Sequence, residues 1–150
     1  VGRARLPVPP PGTPTATWNH RVGFHETDAM GIVHHTNYVN FLERARVVFM
    51  EEHDRPYREY MEQGLHFATT RVEIDYLRPA RFDDLVRVCT WLETLRGASL
   101  RMAYRLTRDD EPIAAAATEH ALVDTEGRPR RIPRPHHARL RTAAGKGGRS

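Results

Sequence analysis

The 150-residue chain has one cysteine, one lysine, two serines and no long apolar run. Cys89 alone cannot close an internal disulfide, so a reducing, cytoplasmic setting is expected. No stretch approaches the roughly 20 apolar residues of a membrane span, and the first residues show no apolar core of a secretory signal. No membrane partner is therefore expected. Neither Ser99 nor Ser150 stands in a G-x-S-x-G turn, which with the short chain excludes a serine hydrolase of the large α/β type. The length leaves room for one domain with one core.

The net charge of +4 divides unevenly. Residues 1–127 carry 15 Arg against 19 Asp and Glu, whereas residues 128–150 carry 7 Arg, 1 Lys and no acid. The basic balance thus belongs to the C-terminal segment. That segment has no interleaved aromatics to stack on bases, so nucleic-acid binding through it is only a secondary alternative.

Pro7, Pro9, Pro10, Pro11 and Pro14 make residues 1–14 an expected flexible or loosely docked arm. Pro129, Pro133 and Pro135, followed by Gly145, Gly147 and Gly148, predict a flexible basic tail over 128–150. The domain is then expected over 15–127. Trp18, His20, Val22 and Phe24 alternate at a period of two, which predicts a strand over 17–24. Tyr38, Phe41, Leu42, Ala45, Val48 and Phe49 fall at helical spacing, with Thr36 or Asn37 placed to cap the start and Pro56 to prevent continuation. Four strands follow over 66–77, 84–95, 98–107 and 112–124, separated by turn signals. Short connectors predict antiparallel hairpins between consecutive strands. The fold class is α+β: one long helix packed on a curved antiparallel sheet of about five strands. The strand over 84–95 is apolar on both faces, so a partner subunit is expected over the face the helix leaves bare.

The segment Asp28-Ala29-Met30-Gly31-Ile32-Val33-His34-His35-Thr36-Asn37-Tyr38 resembles the hotdog-fold thioesterases of the 4-hydroxybenzoyl-CoA thioesterase family. Phe41-Leu42-Glu43-Arg44-Ala45-Arg46 and Glu73-Ile74-Asp75-Tyr76-Leu77-Arg78-Pro79-Ala80 resemble that family's helix and a later strand, and the resemblance spans about residues 17–125. It implies a hotdog fold, hydrolysis of an acyl-CoA thioester to acid and CoA, a homodimer or homotetramer, and no metal or redox cofactor. Other hotdog activities remain alternatives: an acyl-carrier-protein thioesterase, a dehydratase or hydratase, or an acyl-binding protein. Asp28 matches the family's catalytic carboxylate, acting as nucleophile or as base on water, and His35 the residue whose backbone N–H faces the thioester carbonyl. Gly31, Val33, His34, Asn37 and Tyr38 fall in the substrate-binding stretch. Many relatives have Tyr or Trp where this chain has His34 and His35.

The chemistry is intelligible from the residues themselves. Thioester cleavage needs a base or nucleophile and stabilisation of a developing oxyanion, and a helix N-terminus offers unpaired N–H groups. For the CoA phosphates, the candidates are the arginines between Arg128 and Arg141, in competition with Arg78 and Arg81 beside Pro79. Plainer roles are expected elsewhere. Tyr38 reads as core packing, Cys89 as a small buried hydrophobe, and Asp83-Asp84 as a solvated turn.

Overall fold

The computed structural model describes residues 6–144. Its elements run β1 (Ala16–Arg21), α1 (Thr36–His53), α2 (Arg58–Glu62), β2 (Leu65–Tyr76), β3 (Leu85–Leu95), β4 (Ser99–Arg108), β5 (Glu111–Asp124) and α3 (Arg134–Ala143), with a single 3-10 turn at Phe24–Glu26. The strands form one antiparallel sheet in the order β1-β3-β4-β5-β2. This is the expected α+β class, a long helix held in a five-stranded sheet.

Local chemistry sets the hairpins. Asp109 and Asp110 both adopt positive φ, of 49° and 63°, so a two-residue turn between β4 and β5 matches the strand twist. The β2–β3 pair corrects the hairpin expectation. β2 pairs with β5 at one end of the sheet, whereas β3 lies between β1 and β4. The connector over 77–84 therefore crosses the end of the sheet. It is pinned there by buried Ala80, whose carbonyl accepts the Val33 N–H at 2.8 Å.

Helix α1 buries Phe41, Leu42, Ala45 and Phe49 against the inner residues Val86, Val88, Leu92, Met102, Tyr104 and Leu106. Each of these large side chains contributes about 1.5–3 kcal/mol of transfer free energy when removed from water. The inner face also carries a polar chain in which His120 Nε2 meets Thr118 Oγ1 at 2.7 Å and Thr118 Oγ1 meets the Tyr104 hydroxyl at 2.6 Å.

Both ends of the chain pack on the domain, and the C-terminal one differs from expectation. Trp91, Ala103, Ala115 and Ala117 are buried yet stand outside the main core cluster. The N-terminal arm reaches this face: Pro7 lines a cleft with Ala103, Ala115 and Ala117, and Arg105 donates to the Pro7 carbonyl at 2.9 Å. Cover expected from a partner is thus supplied, at least over these residues, by the chain's own arm. At the other end, Ile132, His136, Leu140, Ala143 and Ala144 are buried, and α3 packs against β3 and α1. The expected tail is therefore part of the domain as far as Ala144. His136, Leu140 and Ala143 recur at helical spacing, a stripe hidden among arginines and prolines. Residues 1–5 of the expected arm and 145–150 of the expected tail lie outside the described residues.

Candidate active site

The loop between β1 and α1 is a small closed unit. Thr27 pairs with Val33, and Ile32 pairs with Arg81 of the crossover. The Asp28 N–H donates to the Ile32 carbonyl at 2.9 Å, and the Asp28 carbonyl accepts the Gly31 N–H at 2.9 Å. Gly31 has φ of 77°, a left-handed turn that needs no Cβ, and nothing lies within 4 Å of where a Cβ would stand. The half-buried Asp28 carboxylate accepts the Met30 N–H through Oδ1 at 2.8 Å. Its other oxygen has no hydrogen-bond partner among the described residues. The turn therefore engages Oδ1 alone.

The start of α1 leaves one amide open. The Val33 N–H goes to the Ala80 carbonyl, the His34 N–H to the Glu26 carbonyl at 2.9 Å, and the Asn37 N–H to the His34 carbonyl at 3.0 Å. The Thr36 N–H donates to His34 Nδ1 at 3.3 Å, and Thr36 Oγ1 lies 2.8 Å from the same nitrogen. His34, not the expected Thr36 or Asn37, thus supplies the side-chain cap; His35 stands at the N-cap position. No hydrogen bond among the described residues uses the His35 N–H. His35 is an exposed residue, and its amide stands at the positive end of an 18-residue helix, a position suited to stabilising an oxyanion.

The other expected binding residues separate. Asn37 Nδ2 donates inward to the Glu26 carbonyl at 2.9 Å. Tyr38 is buried, its ring edge-on to Tyr76 with centroids 5.1 Å apart, and burial pushes its hydroxyl above the ordinary range. It packs, as the plainer reading has it. Val33 is buried as well, whereas the rings of His34 and His35 stack at 4.3 Å toward the surface. Arg78 pairs with Glu111 at 3.0 Å. Arg81 is exposed beside the Asp28 loop and has no ion pair among the described residues. Arg128 and Arg130 are each held by Asp124 at 3.0 Å. Asp84 is more than a solvated turn, since it binds Arg108 at 2.7 Å.

Sequence reasoning passed over Glu26, which is buried two residues before Asp28. Burial raises its pKa, but the Gly23 N–H, the His20 hydrogen bond and the positive charges available on His20 and His25 together outweigh it, and the net shift is downward. The Gly23-x-x-Glu26 spacing is a helix-start signal that could have found it. A cavity of about 600 Å³ lies further along α1 and is lined by Arg46, Val47, Met50, Phe67, Leu100 and His120 among others. Among the described residues, no group of three or more His, Cys, Asp or Glu side chains is placed to hold a metal ion.

A long helix gripped by an antiparallel sheet, with a carboxylate loop folded against the helix start, defines a hotdog domain of the thioester-cleaving class. The chain belongs to the thioesterase-like superfamily, whose family model matches residues 22–141. It is 32% identical over 96 residues to the acyl-CoA thioester hydrolase YbgC of Escherichia coli, covering 64% of this chain and 72% of that one. It is 34% identical over 105 residues to the acyl-CoA thioesterase YbgC of Haemophilus influenzae, covering 69% and 77%. The structure of a probable thioesterase from Bartonella henselae superposes with a TM-score of 0.74 at 30% identity, over 80% of this chain and all of that one. The expected fold and family are thereby established.

Proposed function

We propose that Asp28 and the open His35 N–H form the centre at which this acyl-CoA thioesterase cleaves its substrate. The observation that carries this reading is the hydrogen-bond pattern at the start of α1, where the surrounding amides are all engaged and that of His35 is not. Asp28 is the carboxylate on the same closed loop. With Asp28 as base, it takes a proton from water as the oxygen adds to the carbonyl carbon. The carbonyl oxygen gains charge facing the His35 N–H. Collapse breaks the C–S bond, and the departing CoA thiolate receives the proton. With Asp28 as nucleophile, the first adduct collapses to an anhydride as the C–S bond breaks and CoA thiolate leaves. Water then opens the anhydride, releasing the acid, restoring the Asp28 carboxylate and supplying the proton that the thiolate takes up. Either route develops the same oxyanion, and the amide serves both.

Arg81 is the cation best placed for a CoA phosphate, because it flanks the Asp28 loop and carries no ion pair among the described residues. The active assembly is a homodimer. Within one protomer the carboxylate and amide sit at the first turn of α1, while the apolar cavity lies along its later turns. The 12-residue β2 has one unpaired edge and exposes Val72 and Tyr76, so a second copy can extend the sheet and complete the site. The test is thiol release from a panel of acetyl-, hexanoyl-, decanoyl- and benzoyl-CoA. Steady hydrolysis of at least one supports the reading, and none from a folded protein contradicts it.

A further inference from the structure

Glu26 is a buried carboxylate beside the site that the thioester chemistry leaves without a task. Its Oε1 accepts the Gly23 N–H at 2.8 Å and lies 2.7 Å from His20 Nε2 on β1. His20 is itself fixed, stacked on Trp18 at 4.8 Å and tilted against Phe41 of α1 at 4.9 Å. The Glu26 carbonyl accepts two further donors, the His34 N–H and Asn37 Nδ2, both at 2.9 Å. One residue therefore ties the sheet, the turn before Asp28 and the first turn of α1 together.

This has a chemical consequence. An unoccupied helix start presents several N–H groups, any of which could draw the carbonyl oxygen. The Glu26 carbonyl removes the His34 amide from that set and anchors Asn37 one turn ahead. Asp28 follows two residues later on the same backbone, so its position relative to the His35 N–H depends on where the Glu26 side chain is held.

Resting on the proposed function, we infer that Glu26, clamped by His20 and Gly23, is a positioning residue that sets the register between the Asp28 carboxylate and the His35 amide. It touches no reacting atom. Loosening the clamp should displace the reacting groups from each other while leaving CoA contacts in place, so the loss falls on kcat and not on KM.

The experiment compares Glu26→Gln, His20→Ala, Asp28→Asn and Asp54→Asn with wild type, each on whichever acyl-CoA of the panel the wild type hydrolyses fastest. Asp54 is a buried carboxylate in a different hydrogen-bonded cluster, with His136 and Tyr60, and reports what a merely structural loss does. Glu26→Gln and His20→Ala are expected to lower kcat about tenfold per folded molecule with KM within about threefold, while Asp54→Asn lowers the melting temperature but keeps kcat within about twofold. If Glu26→Gln does not fold, His20→Ala, at a half-buried position, decides alone. Full kcat in the Glu26 and His20 variants with Asp28→Asn inactive overturns the positioning role and leaves the proposed centre standing. Normal turnover by Asp28→Asn overturns both. A kcat loss in Asp54→Asn as large as in Glu26→Gln reduces Glu26 to a stability role.

Discussion

At the scale of single residues, the motif from Asp28 to Tyr38 was legible because its spacing fixes a turn and then a helix. The division of labour within it was not. Which amide is left open depends on Ala80 and Glu26, partners 47 and 8 residues away from Val33 and His34 in the sequence. His120 shows the same dependence on distant residues. Burial, reinforced by the Arg46 charge, pushes its pKa down from 6.5 to about 3, so the folded protein holds it neutral. The unfolded chain takes up that proton near pH 6.5, and stability is lost as pH falls from there toward 3. This one group contributes a slope of at most about 1.4 kcal/mol per pH unit. Urea unfolding at pH 7, 6 and 5 should show the decline, and His120→Gln should flatten it. An unchanged slope in that variant would place the titration elsewhere.

At the scale of elements, α1 and all five strands could be read from period and turn chemistry, with ends within two or three residues of those observed. The strand order could not. The crossover over 77–84 reads as a hairpin connector because nothing local marks which strand β3 will join. Helix α3 was hidden for a different reason: its buried stripe is built from His136, Leu140 and Ala143, too sparse to stand out beside Pro133, Pro135 and the helix's three arginines. His136 secures it. Its Nδ1 lies 2.8 Å from Asp54 Oδ1, the Tyr60 hydroxyl donates to Asp54 Oδ2 at 2.6 Å, and the Tyr60 and His136 rings stack at 3.7 Å. Removing one member of such a buried set strands the others, typically at about 3–5 kcal/mol. His136→Ala is therefore expected to lower unfolding free energy by about 3 kcal/mol and to expose α3 to amide exchange. A change below about 1 kcal/mol would show that the helix is held by apolar contact alone.

At the scale of the whole molecule, one protomer carries the chemical groups and the apolar cavity in different places. The arm around Pro7 occupies part of the sheet's outer face, so the proposed dimer uses the β2 edge, which pairs with no other strand among the described residues. Light scattering at micromolar concentration should accordingly give twice the chain mass of 17.2 kDa, and a monomer would contradict the shared site. The apolar strands led the sequence reading to expect a partner over a face that the arm partly covers. The proposed centre rests on one carboxylate. Asp28→Asn preserves the shape and the Oδ1 contact of the turn while removing the charge, so folding and assembly should be unchanged. On the acyl-CoA that the wild type hydrolyses fastest, the rate of thiol release by this variant should fall at least about a hundredfold. Near-wild-type release by a folded Asp28→Asn protein would contradict the assignment of the centre.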